Sequence, residues 1–120
     1  MKVVKEHIIK ISWSDRKLEK VCSDDRQGAR HWGAENWARL RRRLASLLGA
    51  PTLQDMAGVP GNCHQLSGDR DGQFALDLWG PYRLVFEPDH DPLPTLPDEG
   101  IDRARVTDIR IREVVDYHGD

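Results

Sequence analysis

The stretch that decides the fold is QFALDLWGPYRLVFE, residues 73 to 87. Phe74, Leu76 and Leu78 alternate with Ala75, Asp77 and Trp79, and Tyr82, Leu84 and Phe86 alternate with Arg83, Val85 and Glu87. A period of two sends successive side chains to opposite faces of a strand. Gly80 and Pro81, between the two runs, supply the turn. The segment therefore reads as a β-hairpin with one apolar face and one mixed face.

Upstream the period is helical. In Ala34 to Leu48, residues Trp37, Leu40, Leu44, Leu47 and Leu48 fall at i, i+3, i+7, i+10 and i+11, with most of the arginines between them. A weaker stripe of Leu18, Val21, Cys22, Ala29 and Trp32 runs from Asp15, with Ser14 as the expected N-cap and Gly33 as the stop. Gly28 weakens its second half. Together these predict an αα-hairpin. Before it, Val3 to Trp13 reads as a strand, with Ile9, Ile11 and Trp13 on one parity. Gly49 and Pro51 end the second helix, and Thr52 to Met56 predicts one capped helical turn, with Asp55 at the third position.

Downstream, Glu87 to Asp102 holds Pro88, Pro92, Pro94 and Pro97 among acids, which predicts an exposed loop. The last strand runs from Arg105 to about Tyr117. It places Thr107, Ile109, Ile111, Val115 and Tyr117 on one parity, and Arg110, Arg112, Asp116 and His118 on the other. The order β-α-α-β-β-β predicts an α+β fold in which two N-terminal helices pack on one face of a small antiparallel sheet. Arg83, Arg110, Arg112 and His118 would then occupy the uncovered face.

The chain has 120 residues, 38% hydrophobic and 32% charged, which fits one domain spanning 1–120 with an adequate core. No apolar run approaches the roughly 18 residues a membrane span needs, and charges interrupt the N-terminal segment too often for a signal-peptide core, so a cytoplasmic protein with no membrane partner is expected. Cys22 and Cys63 form no CxxC pair and are expected to be reduced core thiols. The net charge of −2 conceals opposite halves. Residues 1–50 carry 12 Lys/Arg against 6 Asp/Glu, and residues 51–120 carry 6 against 14. The basic half, with Arg41, Arg42 and Arg43 in a row, suits a polyanion or an acidic partner, or is simply a solvated helix face.

Three further segments carry candidate chemistry: HQLSGDRDG at 64–72, GPYRLVF at 80–86 and DYH at 116–118. In this order they resemble the HigB-like, plasmid-maintenance killer branch of the RelE/ParE toxin superfamily, over roughly residues 7 to 118. The resemblance implies a toxin that cuts mRNA in the ribosomal A site and is neutralised by a helix-turn-helix antitoxin, so its partners would be antitoxin, ribosome and mRNA. It implies catalytic roles for His64, Asp116, Tyr117 and His118, with Arg83 on the central strand. Arg70 in the first motif, Arg110, Arg112 and Arg41 to Arg43 are the candidate RNA contacts. No cofactor and no metal is implied.

The chemistry agrees with those residue types. Transesterification of RNA needs a base for the 2′-hydroxyl, a cation for the phosphorane and an acid for the leaving 5′-oxygen. The chain departs from the family pattern at Ser67, where lysine is common, and in the acidic insertion 87–102. Each residue also has a structural alternative: Arg83 pairing with Asp77 across the hairpin, Tyr117 packing in the core, Asp116 capping the chain end, or Cys63, His64 and His118 meeting as an incidental metal site. Two rival functions follow: a catalytically weak binding protein of the same fold in an antitoxin, suppressor or co-repressor complex, and a ParE-like gyrase inhibitor.

Overall fold

A computed structural model describes residues 8–116, so Tyr117 and His118 lie outside the described residues. The chain is α+β, and its sheet is mixed. Strand β1 (Lys10–Trp13) leads into helices α1 (Arg16–Cys22), α2 (Asp25–Trp32) and α3 (Ala34–Gly49). Strands β2 (His64–Gln65), β3 (Phe74–Asp77), β4 (Tyr82–Pro88) and β5 (Asp108–Asp116) follow. The sheet order is β1-β5-β4-β3-β2. β2 to β5 form an antiparallel meander, and β5 then pairs in parallel with β1, Lys10 opposite Asp108 and Trp13 opposite Ile111. The expected antiparallel sheet is thus corrected at one edge. The helices intervene between β1 and β2, and the meander walks back across the sheet until β5 lies beside β1.

The expected first helix is two helices. Asp15, rather than Ser14, caps α1 through Lys17 N–H. At Ser23 the helix ends, and Asp24 begins another by accepting hydrogen bonds from the backbone N–H groups of Arg26 and Gln27. Those N–H groups, Gln27 first, hold the Asp24 carboxyl below its ordinary pKa. Gly33, at φ 88°, closes α2 through Ala29 O and opens α3 by accepting from Trp37 N–H. Gly28 is a packing site rather than a weak point: it is buried, and the Trp37 indole lies directly against it.

The core lies between the helices and one face of the sheet. Ile9, Leu40, Leu47, Phe74, Leu76, Leu84, Phe86, Ile109 and Ile111 are all buried there, with the Phe74 and Phe86 rings stacked at 5.8 Å. Asp55 accepts from both Thr52 N–H and Thr52 Oγ1, closing the expected turn at Leu53–Met56 in 3₁₀ form.

Two further expectations fail for identifiable reasons. A register shift between Val85 and Phe86 leaves Arg112 as an extra residue in β5, so the alternation flips there. Val114 therefore joins the core, Val115 moves to the opposite face, and Asp116 pairs with Tyr82 on the helix side. Glu87 and Pro88, expected in the loop, extend β4 by pairing with Arg110 and Ile109. The rest of the loop is organised by a Thr95–Ile101 bridge, an Arg105–Asp102 ion pair at 2.8 Å, and His90, whose Nε2 accepts from Thr107 and Asp108 N–H at 3.0 and 3.2 Å.

Candidate functional site

The sheet face turned away from the helices gathers much of the expected site. Cross-strand partners share a face, and the register gives two rows on it. One is His64, Ala75, Val85 and Glu113; the next is Asp77, Arg83 and Val115. His64 and Arg83 therefore share this face, two strands and one two-residue step apart, a backbone separation of about 12 Å from sheet spacings. Leu66, Ala75 and Val85 form a small second core there, with Val115 against it. The motif segment after His64 folds over the face: Leu66 packs onto that cluster, and Arg70 reaches Glu113 at 2.8 Å and Gln73 at 3.2 Å. Arg70 is thus a strut that ties the motif loop to β5. Ser67 is exposed at the start of the loop's 3₁₀ turn.

His64 Nδ1 lies 2.7 Å from the carbonyl oxygen of Asn62. A carbonyl only accepts, so Nδ1 carries the proton and, in the neutral ring, Nε2 bears the lone pair. That is the tautomer a general base needs. Arg83 is held from three directions: its Nη1 donates to Gly80 O at 3.2 Å and Tyr82 O at 3.0 Å, and its Nε sits 3.0 Å from Asp77 Oδ1. The Asp77 oxygen is buried and lies outside hydrogen-bond alignment with Nε, so the pair is held by charge rather than by a linear hydrogen bond. The expected structural alternative for Arg83 is therefore realised, and the guanidinium is fixed in place.

Arg110 and Arg112 on this side are also paired. Arg110 Nη2 meets Asp89 at 2.7 Å, and its Nη1 lies 3.6 Å from Glu87. Arg112, in the bulge, approaches the same Glu87 carboxylate at 3.7 Å. Ser12 Oγ completes the coordination of Asp89 at 3.1 Å. Asp116, expected beside Arg83 on the polar face, is instead turned to the Tyr82 side by the bulge. The sequence reading missed Glu113, Asp89 and the pairing of Glu87, because cross-strand register, not local pattern, brings them to the arginines.

The three consecutive arginines of α3 separate into different roles. Arg42 is exposed and Arg41 pairs with Asp25 at 3.0 Å, whereas Arg43 is buried, its Nε donating to Asp77 O at 2.9 Å. Burial, then Arg39 and Arg42, pull the Arg43 pKa below the usual arginine value. The reading that these arginines lie largely off the apolar stripe is corrected at Arg43. The signal was present: residue 43 follows Leu40 by three and precedes Leu47 by four.

Cys22 and Cys63 are free, half-buried thiols packed against the core. Burial pushes them up to about 12 and about 11, with Arg103 opposing the rise at Cys63. Among the described residues no group of three His, Cys, Asp or Glu side chains is placed to hold a metal ion. No described helix is long and apolar enough to cross a membrane. No family model, curated protein or solved structure matches the chain.

Proposed function

We propose that this protein is a RelE/HigB-type toxin that cleaves mRNA on the ribosome and is held in check by a helix-turn-helix antitoxin. The observation that carries the reading is the shared placement of His64 and Arg83. His64 presents Nε2 as a base, and Arg83 is a cation immobilised on the same sheet face. In the proposed reaction His64 Nε2 takes the 2′-hydroxyl proton as that oxygen attacks the phosphorus. Arg83 stabilises the charge gathering on the phosphorane, and Tyr117 or His118, outside the described residues, protonates the departing 5′-oxygen. The ribosome supplies the orientation of the mRNA, which accounts for a large share of such a rate.

A second reading rests on the ion pairs. Arg70, Arg83, Arg110 and Arg112 are all engaged by Glu113, Asp77, Glu87 and Asp89, so the face offers a polyanion little net positive field. That favours a catalytically weak binding protein of the same fold. Controlled expression without the antitoxin separates the two. Under the primary reading translation stops and new mRNA 5′ ends appear in actively translated frames. His64→Gln reduces their yield by roughly 10²- to 10⁴-fold without changing thermal stability. Unimpaired growth at verified soluble expression, or full cleavage by the His64→Gln variant, refutes the nuclease reading.

A further inference from the structure

His64 and Arg83 are each held by a neighbour, and the two holds converge on one residue, Asp77, at the end of β3. Its carboxylate lies 3.0 Å from Nε of Arg83, its partner on the adjacent strand. Its N–H donates to Gly61 O at 2.8 Å, and the next residue, Asn62, offers the carbonyl that holds His64 Nδ1 at 2.7 Å. Its own carbonyl accepts from Arg43 Nε at 2.9 Å, across 34 residues of sequence.

Arg43 braces both arms of this junction. It belongs to the buried face of α3 and is 9% exposed, so its surroundings fix its side chain. Besides bonding to Asp77, it packs on the backbone of Gly61, where a Cβ would stand 2.9 Å from Arg43 Nε and 3.0 Å from Cδ. Only glycine permits that approach, and its φ of 123° lies in the region glycine occupies freely. Asn62 follows at φ 51°, a left-handed conformation that asparagine tolerates better than most residues, and its carbonyl meets the His64 ring. A buried charge replaced by an apolar side chain of similar volume is often neutral or stabilising, so packing alone does not account for an arginine at 43. Its donor does, because Asp77 O is the backbone acceptor at the junction.

We propose that Arg43 is a positioning residue for both groups: through Asp77 it fixes Arg83, and through Gly61 and Asn62 it fixes the His64 ring with Nδ1 protonated. Helix α3, on the opposite side of the sheet, then sets the geometry of the candidate site. The catalytic purpose rests on the nuclease reading, whereas the bracing is a property of the fold and is measurable without it.

The test compares Arg43→Met with Arg43→Gln. Glutamine carries an N–H donor the same number of bonds from the backbone as arginine Nε, methionine matches that length without a donor, and both remove the charge. NMR of the nitrogen-labelled full-length protein reads the His64 tautomer and the exchange rate of the Arg83 Nε–H. In Arg43→Met the Nδ1–H tautomer loses its dominance and the Arg83 Nε–H exchanges roughly tenfold faster or more, while Arg43→Gln keeps both near the parent values. Cleavage of ribosome-bound mRNA follows the same order: kcat falls roughly 10- to 10²-fold in Arg43→Met with KM nearly unchanged, and recovers in Arg43→Gln. A parent protein that leaves mRNA intact refutes the nuclease reading, and the NMR comparison still decides the bracing. Parent-like signals in Arg43→Met, or no recovery in Arg43→Gln, overturn the proposal. In the parent itself the Arg43 Nε–H, the Asp77 amide and the His64 Nδ1–H share one opening in native-state hydrogen exchange. Independent openings overturn the proposal whether or not the variants fold.

Discussion

Replacing Gly28 by alanine sets two effects of known sign against each other. In an open helix the exchange is favourable by about 1 kcal/mol, because alanine has the higher helix propensity. Here a Cβ on residue 28 would lie 2.4 to 2.6 Å from Cδ2, Cε2 and Cε3 of Trp37, well inside contact distance. The indole cannot retreat cheaply. It is 5% exposed, stacks on Trp32 at 6.1 Å, and donates through Nε1 to Asp25 at 3.0 Å, the carboxylate that also holds Arg41. Overpacking a fixed aromatic costs about 1–3 kcal/mol, and disturbing a hydrogen bond to a carboxylate adds about 1 kcal/mol more. The net is a destabilisation of about 1–3 kcal/mol, or a Tm lowered by roughly 4–12 °C for a chain of this length. Urea and thermal unfolding followed by tryptophan fluorescence measure it. The cycle with Trp37→Leu is decisive, because once the ring is gone the same Gly28→Ala change stabilises by up to about 1 kcal/mol. A Gly28→Ala protein as stable as the parent, or additive behaviour in the cycle, refutes the packing argument.

Arg43→Glu removes a buried guanidinium and leaves a carboxylate facing Asp77 O, with an expected loss of about 3 kcal/mol or more, whereas Arg42→Glu on the exposed face changes the unfolding free energy in urea titrations by less than about 0.5 kcal/mol. His90→Ala strips the acceptor from two backbone N–H groups, so the Thr107 and Asp108 amides exchange faster with solvent and stability drops by about 1–2 kcal/mol. The raised thiols make stability fall as pH climbs from about 9 toward 11 and 12: the unfolded chain releases these protons first, while below about 9 both states keep them and the effect vanishes. A Cys22→Val, Cys63→Val double variant should show a flatter alkaline limb in urea titrations. Slow native thiol alkylation at about pH 8, becoming fast in denaturant, checks the same burial.

The sequence by itself determined the local elements. Phe74 to Phe86 alternates at period two because both strands face one core, and that alternation was readable without neighbours. The stripe Trp37, Leu40, Leu44 and Leu47 likewise located α3, because burial of one helical face imposes the spacing directly. His64 and Arg83 were legible as candidates from residue type and motif order, and parity put Arg83 on the uncovered face, whereas the β2–β3 register is what set His64 on the same face. Tertiary structure decided the rest. The direction of β1 against β5 depends on how the whole meander returns, which no local period encodes. One extra residue at Arg112 reversed the faces of Val115 and Asp116, since a single insertion shifts every later side chain by half a period. The charge state of the candidate face was decided the same way. Glu113, Asp77, Glu87 and Asp89 come from positions distant in sequence, and only the register of four strands and a folded-over loop places each carboxylate within reach of an arginine.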